Sequence, residues 1–282
     1  MEKSTKINWY PGHMKKTREM IRDNLKAVDL VVEIIDSRIP ASSRNPIIDE
    51  IISGKRRLVV LGKADLADEE ETGKWQEKIS SSRSVSKVLA LNLQTGENIK
   101  LLLKALDEEQ RKRDREKSIK RPLRLMVVGV PNVGKSSLIN RLTGRKSAQT
   151  GDKPGVTKGK QWLSLENGMQ LLDTPGVLWP KFEDQKVGLN LAFCGSIRDE
   201  ILDIQELGFE LIKVLGIMYP DLLQERYKLD YISENPLDNM DNIAINRGFI
   251  LSGKRIDYER TARTVLDEFR GGKIGRITLE RI

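Results

Sequence analysis

Gly129-Val-Pro-Asn-Val-Gly134-Lys135-Ser136 matches the pattern G-x-x-x-x-G-K-[ST] without a gap. The apolar run Leu125–Val128 precedes it and the helix-like stretch Lys135–Leu142 follows. Strand, loop and helix in that order form the setting in which this pattern cradles phosphate. Its glycines let the backbone curl, so that successive N–H groups from Asn132, Val133, Gly134, Lys135, Ser136 and Ser137 face anionic oxygens. The helix N-terminus adds a favourable partial positive charge. Lys135 is placed to reach the β- and γ-phosphates, and the Ser136 hydroxyl to ligate Mg²⁺.

Two downstream segments fit the same chemistry. Asp173-Thr-Pro-Gly176 closes a second strand-like run. There Asp173 would hold Mg²⁺ through water, and the Gly176 N–H would meet the γ-phosphate. Between the two glycine-bearing segments, Asp152-Lys-Pro-Gly-Val-Thr157 ends in a hydroxyl, and Thr157 is the candidate for a second protein ligand to Mg²⁺.

The base-reading element lies upstream. In GTPases an Asn-Lys-x-Asp sequence at a strand end reads guanine, and the counterpart here is Gly62-Lys63-Ala64-Asp65 after Leu58–Leu61. Asp65 can accept from guanine N1–H and the N2 amino group, and adenine would leave that carboxylate unpaired. The Lys63 stem can lie over the ring face. Gly62 stands where an Asn is expected, which removes about 1–2 kcal/mol of hydrogen bonding. Asn92-Leu93-Gln94-Thr95-Gly96 occupies the place of the second base-contacting turn as a loose match.

The rest of the chain fits a globular protein. Of its 282 residues 38% are hydrophobic and 32% charged, and no apolar run is long enough to span a bilayer. Met1–Asn8 is charged and unlike a signal peptide, and the lone Cys194 offers neither an internal disulfide nor a cysteine metal cluster. These features lead to the expectation of a cytoplasmic protein without membrane association. The net charge of +8 favours an anionic partner. Helix-like and strand-like segments alternate through residues 13–173, which predicts crossover helices on a mostly parallel sheet. A strongly basic stretch, Glu109–Arg124, reads as a solvated linker or a phosphate-backbone contact. Helical patterns dominate after Pro180, in Gly188–Phe193, Ile201–Met218, Pro220–Tyr227 and Tyr258–Arg270. The expected organisation is an α/β P-loop domain over residues 1–182 and an α-helical domain over 183–282.

The order of base-reading loop, phosphate loop, Thr157 and Asp173–Gly176 resembles the circularly permuted GTPases. Within them the chain is similar to the ribosome biogenesis GTPase A (RbgA/YlqF) family. The residues that carry the likeness include Trp9-Tyr-Pro-Gly-His13-Met14, Asp36-Ser-Arg38-Ile-Pro40, Ser43-Arg44-Asn45-Pro46 and Asp173–Phe182. The resemblance implies a Rossmann-like GTPase domain that binds GTP or GDP and assists late assembly of the large ribosomal subunit. It also implies a C-terminal helical domain against ribosomal RNA, and hydrolysis stimulated by the subunit; hydrolysis is then expected to act as a release switch on the subunit precursor. A monomer is expected. Val177 stands where Ras-like proteins carry a water-orienting Gln. The resemblance assigns that catalytic role to His13, the single histidine, while Lys135 is expected to stabilise the charge that develops as water attacks. Asn132 resembles the asparagine that ligates K⁺ in potassium-stimulated GTPases. Two rivals remain on sequence grounds: a P-loop ATPase or kinase, which Gly62 leaves open, and an RNA-binding scaffold with a degenerate nucleotide site.

Overall fold

The computed structural model describes residues 19, 21–52, 54–144, 162–165, 167–172 and 184–282. They form two compact units. One contains the described residues up to 172 together with Glu280–Ile282, and the other is Asp184–Leu279.

The first unit is built outward from β1 (Leu30–Asp36), a β-branched run buried at every position. Only a strand covered on both faces tolerates such a run. Val31, Val32, Ile34 and Ile35 are each fully buried, and each side chain contributes roughly 1.5–3 kcal/mol of apolar transfer. β1 pairs with β2 (Arg56–Gly62) on one side and with β4 (Arg124–Val128) on the other, both in parallel. β3 (Val85–Ala90) continues beyond β2 in parallel, and β6 (Gln170–Leu172) continues beyond β4. β5 (Trp162–Ser164) closes the far edge antiparallel to β6. The strand order is therefore β3-β2-β1-β4-β6-β5. The expected mostly parallel sheet is present, with β5 as its antiparallel exception.

The helices α1 (Pro46–Ile51), α2 (Glu69–Ser80), α3 (Ile99–Glu116) and α4 (Lys135–Thr143) connect these strands. From β1 the chain winds through β2 and β3 to one edge, then returns to β4 beside β1 and winds to the other edge. The reversal makes the carboxyl ends of β1 and β4 the topological switch point, where open α/β sheets bind ligands.

The basic stretch before β4 is not a free linker. α3 runs on to Glu116, and Arg113 is buried, lying 3.5 Å from Asp29 and donating to the Arg121 carbonyl at 3.1 Å. Arg121 grips Asp29 with two bonds of 2.7 and 3.0 Å. Arg124 lies over the Trp162 ring. Arg111, Arg115, Lys117 and Lys120 stay exposed.

The second unit comprises α5 (Gln185–Phe193), α6 (Ile204–Met218), α7 (Pro220–Tyr227), α8 (Pro236–Arg247) and α9 (Tyr258–Arg270). Side chains of Asp184, Asp203, Asn235 and Asp257 each accept a bond from the first turn of the helix that follows. Such caps satisfy N–H groups that the helix itself leaves unpaired. Leu207, Leu211 and Leu215 of α6, Ile243 of α8, and Val265 and Phe269 of α9 form its buried apolar set. Sequence patterns missed α8, whose Asn- and Asp-rich interior is a weak helix former. Its signals were at its ends: Asn235-Pro236 starts it, and Gly248, at φ 68°, stops it. A short hairpin of β7 (Ile250–Leu251) and β8 (Arg255–Ile256) was likewise missed.

Candidate functional site

β4 delivers its chain into the phosphate loop at Gly129, whose φ is 159°. A Cβ there would stand 2.4 Å from the Ile34 carbonyl oxygen, so only glycine lets β4 leave the sheet this close to β1. Asn132 (φ 59°) and Gly134 (φ 106°) adopt left-handed backbone, and α4 starts at Lys135. Such turns aim consecutive N–H groups into one concavity. Lys135 is buried, and its Nζ donates to the Val130 carbonyl at 2.8 Å. The ammonium thus folds across its own loop, an arrangement in which phosphate oxygens can take the place of the carbonyl. Ser136 and Ser137 are half-buried in the first turn of α4.

β2 ends at Gly62, in register with Asp36 at the end of β1. The Gly62 carbonyl accepts from Ser37 N at 3.0 Å and from Ser37 Oγ at 2.7 Å. Lys63 follows in left-handed conformation (φ 56°), and Ala64–Leu66 makes one 3₁₀ turn, so Asp65 sits half-buried on that turn. Ala64 N donates to Leu91 O, joining this loop to the end of β3.

The space for a side chain at position 62 is taken. A Cβ there would lie 3.1 Å from the Val133 carbonyl oxygen and 3.2 and 3.3 Å from Ile34 side-chain carbons. The phosphate loop and β1 have closed up around the glycine.

Asn92 shapes the neighbouring turn. Its Oδ1 accepts from Gln94 N (2.9 Å) and Thr95 N (3.1 Å), so it builds the turn. Leu93 is buried, and its Cδ1 would be 3.0 Å from a Cβ at Gly134, which places this turn against the phosphate loop. Arg141 of α4 fastens the turn from outside, donating to the carbonyls of Leu93 (3.0 Å) and Gln94.

Three sequence-predicted segments therefore meet at the switch point: Gly62–Asp65, Asn92–Leu93 and Asn132–Ser137. Ile34 lies among them, touching the positions of Gly62, Gly129 and Gly134. Sequence reading missed Ile34 and Arg141, which carry no motif. It also assigned no role to Asp36 and Arg38, although both stand in a stretch singled out for its likeness. His13, Thr157, Asp173 and Gly176 lie outside the described residues.

Asp36 is fully buried and fully engaged. It accepts from Arg38 N (3.1 Å), Arg38 Nε (3.0 Å), Arg38 Nη2 (2.9 Å) and Lys63 Nζ (3.0 Å). Burial alone would push its carboxyl up. The charges and hydrogen bonds of Arg38 and Lys63 outweigh burial and hold it far below the usual carboxylate range.

Residues 124–218 match a family model described as "50S ribosome-binding GTPase". The chain is 46% identical over 278 residues to ribosome biogenesis GTPase A of Bacillus cereus, covering 97% of this chain and 93% of that protein. Among solved structures it is similar to GNP-bound YlqF from Thermotoga maritima, with a TM-score of 0.69 and 30% identity over 94% of this chain and 98% of that one. A GDP-bound YlqF structure gives the same TM-score and identity, over 93% of this chain and 98% of that one.

Proposed function

The chain belongs to the ribosome biogenesis GTPase A family, and we propose that it binds and hydrolyses GTP on a precursor of the large ribosomal subunit, leaving on hydrolysis. The observation that carries this reading is the convergence of the base-reading loop, its neighbouring turn and the phosphate loop at one switch point.

In this mechanism the α4 N-terminus and the N–H groups of residues 132–137 hold the phosphates. Lys135 leaves the Val130 carbonyl for the β- and γ-phosphates and stabilises charge that develops as water attacks the γ-phosphorus. Asp65 accepts from the guanine donor edge. The Ser136 hydroxyl, at the start of α4, is a hard oxygen donor of the kind Mg²⁺ takes, with Thr157 and water-linked Asp173 as the other proposed holders. Bound there, Mg²⁺ would neutralise charge on the β- and γ-oxygens. Asn132 supplies an amide oxygen suited to K⁺, and His13 is assigned the orientation of the attacking water. Gly176 N–H is assigned to the γ-phosphate.

The proposed RNA partner is supported by exposed cations: Arg111, Arg115, Lys117 and Lys120 in the first unit, and Arg255, Arg260 and Arg263 in the second. Arg226 and Arg247 serve the fold instead, since both pair with Glu268. None of the described helices is long and apolar enough to cross a membrane. A monomer working in the cytoplasm completes the proposal.

GTP turnover with and without large ribosomal subunits tests it, using the parent, His13→Ala and Lys135→Ala. Subunits should stimulate the parent, and Lys135→Ala should lose about 10²–10³ in turnover. His13→Ala should lose about 10²–10⁴ of the stimulated rate. Absence of stimulation in the parent would sink the ribosomal role, and displacement of GTP by equimolar ATP would sink the base assignment.

A further inference from the structure

The base-reading loop lacks the asparagine side chain that would tie it to the phosphate loop, yet it is firmly held from its other side. Two attachments come from the end of β1. Ser37 takes the Gly62 carbonyl with both its N–H and its hydroxyl. Asp36 takes the Lys63 ammonium at 3.0 Å. The carboxylate cannot swing away, because Arg38 holds it with a guanidinium fork and a backbone N–H. Asp36 and Arg38 are each only 1% exposed, while Lys63 is 25% exposed. A carboxylate has about four acceptor sites, and the four donors named here occupy them all.

We propose that Asp36 and Arg38 are positioning residues for guanine binding. They anchor the Lys63 ammonium so that its aliphatic stem is a fixed wall for the base. This inference rests on the GTP-binding reading above. The chain of contacts runs from a buried Arg38, through a buried Asp36, to a Lys63 whose stem reaches the surface. A lysine left to itself would sample many rotamers and lose them on binding. Here the ordering is complete before the nucleotide arrives, which is preorganisation of the site. Lys63 has left-handed backbone, so its stem leaves the loop in a direction the ion pair then fixes at the far end.

A double-mutant cycle on the full chain reads this directly. GDP affinity is measured by fluorescence of a labelled GDP for the parent, Lys63→Met, Asp36→Asn and the double variant. Inorganic pyrophosphate serves as a competitor that offers phosphates without a base. Each single substitution should weaken GDP by about tenfold, and the double variant should be no weaker than the weaker single one. Pyrophosphate should compete against labelled GDP with the same intrinsic affinity in every variant. Multiplying losses in the double variant, or equal losses for GDP and pyrophosphate, would overturn the inference. Arg38→Lys keeps the buried charge but loses the fork; should Asp36→Asn not fold, it takes that place in the same cycle and is read by the same outcomes. Failure of the parent to bind GDP would instead reject the GTP-binding reading itself, and so is distinguishable from failure of the cycle.

Discussion

Gly62 shows how one position can be read correctly in chemistry and incompletely in space. Sequence counts the hydrogen bonds an asparagine would have made, about 1–2 kcal/mol. The structure adds that the Val133 carbonyl and the Ile34 side chain stand 3.1–3.3 Å from where a Cβ would be. Inserting a side chain into so tight a space costs about 1–3 kcal/mol, of the same size as the gain. Gly62→Asn alone should therefore lower the melting temperature and raise GDP affinity only slightly. Ile34→Val removes the carbon at 3.2 Å and should let Gly62→Asn express more of its gain. Titrating GDP against the two singles and the double checks this. Equal gains in both backgrounds would mean that Ile34 yields freely and that packing does not limit the position.

At the scale of elements, β1 does more than fill the sheet. Its upstream flank, Asp29, collects Arg121, the Arg124 N–H and Arg113, and so docks the end of the α3 connector beside β4. Partial burial alone would push Asp29 up, but the hydrogen bonds and charges of Arg121, with help from Arg124 N–H and Arg113, hold it below the usual carboxylate range. A depressed carboxyl stabilises the fold above its unfolded value, near 4, and that contribution is lost as pH falls through the lower folded value. Melting temperature should then be steady from about pH 5 upward and fall below about pH 4. Asp29→Asn should start lower at neutral pH and fall less steeply in acid; parallel curves for parent and variant would remove Asp29 from the account. The strands, the crossover helices and the phosphate loop were legible in sequence because period, length and glycine spacing are local properties. The connector was not. Its arginines look solvated in one dimension, and only the pairing of β1 with β4 brings Asp29 to them. For the same reason Asp65 and Lys135 could be named from motifs, while Ile34, Arg141 and the Asp36–Lys63 pair needed neighbouring strands to be placed side by side.

At the scale of the whole chain, the last three residues pack within the nucleotide-binding unit although the residues before them belong to the helical one. The Glu280 carboxylate accepts from Ala41 N at 2.6 Å and from Ser42 N at 3.0 Å, and it also takes the Ser42 hydroxyl. The Glu280 carbonyl accepts from Trp75 Nε1 at 2.7 Å, and Ile282 N donates to Glu71 at 3.2 Å. Ala41 and Ser42 lie in the same turn as Ser43, whose hydroxyl accepts from Asp36 N at 3.0 Å. Glu280–Ile282 thus brace the loop that leads out of β1, the loop that also holds Asp36, the partner of Lys63. Two N–H groups bonding a carboxylate are charge-assisted and worth about 1.5–3 kcal/mol each, less whatever water regains at this partly exposed site. Deleting residues 280–282 should therefore destabilise the nucleotide-binding unit by about 2 kcal/mol, a fall of roughly 4–8 °C for a unit of this size. Glu280→Gln keeps one acceptor oxygen and should lose about half as much. Saturating GDP should widen the difference between the truncated chain and the parent if the brace acts on the nucleotide loops, and leave it unchanged otherwise, since a ligand adds less stability to a folded site that binds it more weakly. Calorimetric melts with and without GDP decide the matter: an unchanged melting temperature in the truncated chain would reduce the tail contacts to incidental packing.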